Sequence, residues 1–136
     1  MLKDNGKNKR GLVVEDEPSI ARMCLRALGS EGFEVDIAVD GKEAQARLCN
    51  DGDMYDLCLI DIRTPGMNGI ELYHYLEEIG SQMVNRVIFT TGDTINEEIK
   101  AFLEETGHPF LPKPFTLDEL RSVIKIALSS HLTVKE

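Results

Sequence analysis

Leu57-Cys58-Leu59-Ile60-Asp61 is an unbroken apolar run that stops on a carboxylate, and Arg63-Thr64-Pro65-Gly66-Met67-Asn68-Gly69 follows as a stretch rich in turn formers. A short, continuously apolar segment is what a strand covered on both faces requires, since each face then meets helices rather than water. Ile70, Leu72, Tyr73, Leu76 and Ile79 come next at helical spacing. Strand, turn, helix is therefore the unit to look for elsewhere.

It recurs on both sides. Upstream, Gly11–Val14 is apolar and stops at Glu15-Asp16-Glu17; Pro18 and Ser19 suit the first turn of a helix, and Ile20, Met23, Cys24, Ala27 and Leu28 give it an apolar stripe ending near Gly29 and Gly32. Glu34–Val39 alternates as a less buried strand does, and Asp40 suits the cap of a second helix with Ala44, Ala46, Leu48 and Cys49. Downstream, Arg86–Thr90 forms a fourth run ending at Thr91-Gly92-Asp93, and Ile95, Ile99, Phe102 and Leu103 mark a helix that stops at Gly107. Pro109–Leu111 is a fifth strand, Pro112-Lys113-Pro114-Phe115 a turn, and Leu117, Leu120, Val123, Ile124, Ala127 and Leu128 a last helix. The expected fold is α/β: a single (βα)5 flavodoxin-like domain, its five-stranded parallel sheet of order 2-1-3-4-5 covered by helices on both faces. The expected boundaries are a flexible N-terminal tail 1–9, the domain over 10–130 and a C-terminal tail 131–136.

The 136 residues suit one domain, 42% hydrophobic and 29% charged, with a formal charge of −9. The first ten residues carry Lys3, Lys7, Lys9 and Arg10 against Asp4, a net +3, which leaves −12 for residues 11–136. An acidic body excludes a surface that grips nucleic acid or anionic lipid by charge. Cys24, Cys49 and Cys58 have no metal-ligand spacing, and Cys58 reads as core. No membrane span or signal peptide is legible, so a reducing cytoplasm is the expected location.

Sites on such sheets form at the carboxyl ends of the strands. Those ends carry Glu15, Asp16 and Glu17, then Asp61, then Thr90 and Thr91, then Lys113. With strands one and three adjacent, Glu15, Asp16 and Asp61 converge. Three such carboxylates repel unless a cation or proton intervenes, and oxygen donors of this kind suit Mg²⁺, with Mn²⁺ as the alternative ion. Lys113 adds an ammonium, Thr91 a hydroxyl, and Gly92 leaves its backbone open to a phosphoryl group. Together these suit an acyl phosphate on Asp61.

Four motifs, Leu12-Val-Val-Glu-Asp-Glu-Pro-Ser19, Leu59-Ile-Asp-Ile-Arg-Thr-Pro-Gly-Met-Asn-Gly69, Val87-Ile-Phe-Thr-Thr-Gly-Asp93 and Phe110-Leu-Pro-Lys-Pro-Phe115, resemble the receiver domains of two-component response regulators and hybrid sensor histidine kinases. Phe89-Thr-Thr-Gly-Asp-Thr94 and Pro109-Phe-Leu-Pro-Lys-Pro-Phe115 look most like receivers of hybrid kinases. The resemblance spans about residues 10–130. It implies that Asp61 is the phosphoacceptor, and that Glu15, Asp16, Asp61 and the Arg63 backbone carbonyl hold Mg²⁺. It makes Thr91 the switch hydroxyl, Lys113 the phosphate-contacting lysine and Phe110 the aromatic switch position, and implies a cis Lys113–Pro114 peptide. A histidine kinase or histidine phosphotransfer protein would supply the phosphoryl group, and an output domain or partner protein would read the face of the fourth helix, fifth strand and fifth helix. No direct nucleic-acid contact is expected. The chain is a stand-alone receiver or a piece of a longer protein.

Three positions depart from the commonest pattern. Glu15 stands where Asp is more usual, Thr64 where an apolar residue is common, and Phe110 lacks a phenol. Arg63 and Asp93, each two residues beyond a site residue, are expected to bridge over the phosphoryl group and hinder attacking water.

Simpler readings stand beside these. Asp61 alone suits a turn cap, Glu15 and Asp16 suit acids at a helix start, Thr91 a turn and Lys113 the surface. Glu17 is set aside as a first-turn acid and Thr90 as a strand-end residue. Phe110 suits plain core equally well. His74, His108 and His131 are not expected to cluster. A haloacid-dehalogenase-type phosphatase would need a second Asp where Arg63 stands, a flavodoxin-like FMN carrier would meet repulsion at Glu15-Asp16-Glu17, and a degenerate receiver would lack residues that are all present here.

Overall fold

A computed structural model describes residues 9–51, 55–93 and 95–135. The elements run β1 Lys9–Val14, α1 Pro18–Gly29, β2 Phe33–Ala38, α2 Gly41–Asp51, β3 Leu57–Asp61, α3 Gly69–Glu78, a 3₁₀ turn Gln82–Asn85, β4 Val87–Thr91, α4 Glu97–Thr106, β5 Phe110–Pro112 and α5 Leu117–Lys135. All four pairings are parallel, in the order β2-β1-β3-β4-β5. The α/β fold and its strand order are those expected.

The two-residue side-chain period of each strand sorts the core into two layers. Leu12, Val14, Cys58, Ile60 and Phe89 pack with Ala44, Leu48, Leu72, Leu76 and Phe102 of α2, α3 and α4. Val13, Leu57, Leu59 and Ile88 pack with Cys24, Ala27, Leu28, Leu120 and Ile124 of α1 and α5. β3 and β4 are buried along their whole length.

Several boundaries differ from expectation, most of them for a local hydrogen-bonding reason. β2 ends at Ala38: the Val39 N–H donates to Glu43 Oε1 at 2.9 Å, while the Glu43 N–H donates to Asp40 Oδ1 at 2.8 Å, so Val39 belongs to the cap of α2. β4 extends to Thr91, whose carbonyl accepts the Lys113 N–H at 2.8 Å. Ile95 precedes α4 and is 84% exposed, because Asn96 caps that helix by accepting the Ile99 N–H at 3.0 Å. The 3₁₀ turn was not expected; Ser81 caps it through the Met83 N–H, and Met83 fills the core. β1 begins at Lys9, one residue before the expected domain start. α5 runs through most of the expected C-terminal tail, since no Gly or Pro follows Pro114. Residues 1–8 of the expected N-terminal tail lie outside the described residues. Among the described residues no helix is long and apolar enough to cross a membrane.

Candidate functional site

Parallel register brings the strand ends together. Val14 pairs with Ile60, so Glu15 and Asp61 emerge side by side one step further on. The Glu15 N–H donates to Ala38 O at 3.0 Å, continuing the ladder and fixing the backbone there. Oxygens of Glu15, Asp16 and Asp61 all lie within 4.8 Å of one another. Glu15 and Asp61 are buried, while Asp16 faces solvent.

Lys113 reaches this cluster from the far side of β4. Its Nζ donates to Asp61 Oδ2 at 3.1 Å and lies 3.1 and 3.2 Å from the two Glu15 oxygens. The Lys113–Pro114 peptide is cis, as the motif implied. A Cβ placed on Gly92 would make an ordinary contact with the Lys113 Cβ at 3.9 Å, so Gly92 lies beside Lys113. Burial lowers the Lys113 ammonium's pKa, but the Asp61 charge and the bonds to both carboxylates outweigh it, leaving the group above the usual lysine value. Glu15 is less well compensated: burial, then the charge of Asp61, push its carboxyl above the ordinary glutamate range, against the partial relief of Lys113 and the Glu17 N–H.

The site is thus two buried carboxylates and one at the rim, against one ammonium. These hard oxygen donors fit Mg²⁺ or Mn²⁺, and a bound dication would supply the charge that Lys113 alone does not. Glu15, Asp16 and Asp61 are the side chains that would hold it.

The remaining expected residues surround this centre. Thr91 is fully buried and its hydroxyl accepts the Asp93 N–H at 3.0 Å. The Arg63 N–H donates to Asp61 Oδ1 at 3.1 Å, and the Arg63 guanidinium pairs with the Asp93 carboxylate, so these two side chains do bridge between the β3 and β4 loops. Phe110 is 43% exposed, which excludes the plain-core reading. Asp61 pairs in register with Thr90, the neighbour set aside.

Some participants were not legible. Glu17 lies 4.0 Å from Lys113 at the fringe, and its N–H donates to Glu15 Oε2 at 3.2 Å. Cys24 sits beneath the cluster; burial, then the Glu15 charge, push its thiol up to about 12. Helical spacing marked Cys24 only as core, and nothing local in the sequence told which strand ends lay above it. The histidines also correct the expectation in part. His74 and His108 both stack edge-on against Tyr73, with centroids 6.4 and 5.5 Å away, and His108 Nε2 lies 3.1 Å from the Tyr73 hydroxyl. This is an aromatic cluster with Phe89 and Phe102, away from the carboxylates.

Comparison with known proteins agrees with this geometry. The family model described as response regulator receiver domain matches residues 12–125. Transcriptional regulatory protein TcrA of Mycobacterium tuberculosis is 37% identical over 111 residues, covering 82% of this chain and 42% of that protein. The transcriptional regulatory protein YkoG of Bacillus subtilis is 33% identical over 125 residues, covering 92% and 53%. The chain therefore spans about half the length of the curated relatives it matches. Among solved structures, a CheY-like receiver domain protein from Methanospirillum hungatei superposes with a TM-score of 0.80 at 29% identity, over 93% of this chain and 98% of that one. A chain of the CheX-CheY-BeF3-Mg complex from Borrelia burgdorferi gives 0.80 at 25% identity, covering 92% of each. Sheet order, the acid cluster beside its lysine, and the sequence match over nearly the whole chain converge: this chain belongs to the response regulator receiver domain family of two-component signalling systems.

Proposed function

We propose that this chain is a phosphoacceptor module of a phosphorelay in the cytoplasm, with Asp61 as the residue modified. The observation that carries the reading is the bridge of Lys113 Nζ between Asp61 and Glu15, at 3.1 Å from each, within a group of three convergent carboxylates. A histidine kinase or phosphotransfer protein presents a phosphohistidine. An Asp61 carboxylate oxygen forms the bond to phosphorus while the P–N bond breaks, and the imidazole nitrogen leaves with that electron pair. Lys113 follows the charge onto the phosphoryl oxygens. Glu15, Asp16, Asp61 and the Arg63 carbonyl would hold Mg²⁺, which would offset charge on the transferred group.

Thr91 then turns from the Asp93 amide to donate to the phosphoryl group, and Phe110 moves with it. The face of α4, β5 and α5 changes shape and acts on a partner or an attached output domain. Apolar surface supports a docking role there: Ile95 just before α4, Phe110 in β5 and Ile126 in α5 are each exposed.

Labelling with acetyl phosphate tests the reading. The wild type takes up one phosphoryl group when Mg²⁺ is present, and Asp61→Asn takes up none; labelling that survives the substitution removes Asp61 from this role. In the same experiment Arg63→Ala shortens the lifetime of the label, on the reading that the Arg63–Asp93 pair between the two loops hinders attacking water. An unchanged lifetime removes the pair from that role.

A further inference from the structure

Thr64 is the departure from the family pattern that the acid site does not explain. It is a polar residue only 3% exposed, in a loop between Asp61 and α3. Its hydroxyl donates to the Met67 carbonyl at 3.2 Å, closing the loop on itself. From the other side the same carbonyl presses on the start of α2: a Cβ on Gly41 would lie 1.7 Å from Met67 O, so no other residue fits there unless the loop moves. The Gly41 N–H also faces Pro65 O at 3.4 Å, and the Gly69 N–H closes the base of the loop on Ile62 O at 2.8 Å.

This bracing bears on one peptide plane. The Thr64 N–H points back at the Asp61 carbonyl, 3.3 Å away. A trans peptide is planar, with its C=O opposed to its N–H. The Arg63 carbonyl belongs to that same peptide and is therefore turned away from the Asp61 carbonyl. One residue earlier, the Arg63 N–H holds Asp61 Oδ1 at 3.1 Å. The two peptides flanking Arg63 thus carry one hold on the Asp61 carboxylate and the carbonyl expected at the metal.

We propose that Thr64 is a positioning residue of the phosphoacceptor site: its buried hydroxyl, by holding the Met67 carbonyl against Gly41, fixes the Arg63–Thr64 peptide so that the Arg63 carbonyl is presented to the divalent cation. This role presupposes the metal-dependent function proposed above. It acts through backbone, so Thr64 touches neither cation nor phosphoryl group. Loss of the hydroxyl leaves the carbonyl of half-buried Met67 without that donor and lets the loop relax.

Isothermal titration of the full chain with Mg²⁺ alone tests it, beside thermal melts in EDTA. Thr64→Val, which keeps the shape and removes the donor, weakens Mg²⁺ binding about tenfold, the low end for an outer-sphere partner of a metal site. Thr64→Ser restores the affinity to within about twofold of wild type, because it restores the donor. The Mg²⁺ concentration for half-maximal labelling by acetyl phosphate rises in parallel. A residue with only a structural role lowers the melting point in EDTA and leaves the dissociation constant where it was; that result overturns the proposal. If Val does not fit and the variant melts out, Thr64→Ala removes the hydroxyl with less bulk and carries the same expectation. A wild type that binds no Mg²⁺ overturns the phosphoacceptor reading itself, a different outcome from a wild type that binds and a Thr64→Val variant that binds equally.

Discussion

Two charged clusters sit about β1, and they are built on opposite principles. On the β2 side of the sheet, Asp36 Oδ2 receives Arg10 Nη2 at 2.5 Å and the Tyr55 hydroxyl at 2.6 Å, with Arg47 Nη1 at 3.6 Å. The Arg10 guanidinium also lies 4.8 Å above the Tyr55 ring. One acid there has two cations and a phenol. The Tyr55 hydrogen bond, and behind it those from Arg10, hold the Asp36 carboxyl below its ordinary value against the opposing effect of burial. At the carboxyl end of the strands three acids converge, two of them on Lys113, and Glu15 is pushed the other way. The Asp36 carboxylate is satisfied by its own chain and needs no function to explain it. The second cluster is short of positive charge, and that deficit marks it as a place where a cation could bind.

The sharpest way to break the comparison is to deepen the deficit. Lys113→Met leaves buried Glu15 and Asp61 facing each other without their ammonium. Unmaking one side of a buried ion pair costs about 3 kcal/mol, so the urea midpoint of the metal-free protein falls markedly. Added Mg²⁺ recovers part of the loss. A variant as stable as wild type in EDTA would mean that the acids are not in conflict.

The converse test is made at the β2 side. Asp36→Asn keeps the shape but converts charge-assisted hydrogen bonds into neutral ones. With Asp36 about a third exposed, the expected loss is about 1–2 kcal/mol, and Mg²⁺ does not change it. A loss that Mg²⁺ repaired would join the two clusters into one system.

How much of this was legible depends on the range of the interactions. The continuously apolar Leu57–Ile60 run and the carboxylate that ends it pointed to the parallel sheet and to the strand end where the acids meet, because β3 is buried on both faces and Asp61 is the first residue past its apolar core. The convergence of Glu15, Asp16, Asp61, Thr91 and Lys113 followed from strand order alone. Side chains set by distant backbone were not legible. Tyr55 and Arg47 find Asp36 across intervals that no local pattern encodes. Thr64 looked like an anomaly until the Met67 carbonyl and Gly41 lay beside it. Boundaries slipped where capping, rather than hydrophobic spacing, ended an element: Val39 reads as the last apolar residue of a strand, yet its N–H is spent on Glu43.

The smallest expected effect is the most diagnostic, because the two clusters should tilt stability in opposite directions with pH. Asp36 has a native pKa below its ordinary 3.8. Between the two values the unfolded chain binds more protons, so the stability that Asp36 contributes is whole above 3.8 and is lost as pH falls through the native value. Glu15 has a native pKa above its ordinary 4.5. Between those values the folded chain binds more protons, so stability falls as pH rises from 4.5 through the native value. Urea midpoints across the acid range, taken in EDTA, should show both slopes as differences from variants: Asp36→Asn flattens the limb below 3.8, and Glu15→Gln flattens the limb above 4.5. With Mg²⁺ present the second slope reverses, since a cation binds only the ionised carboxylates and folding then favours proton release. A Glu15→Gln variant whose pH profile parallels wild type in EDTA would show that Lys113 already satisfies Glu15, and the two clusters would then differ in position but not in kind.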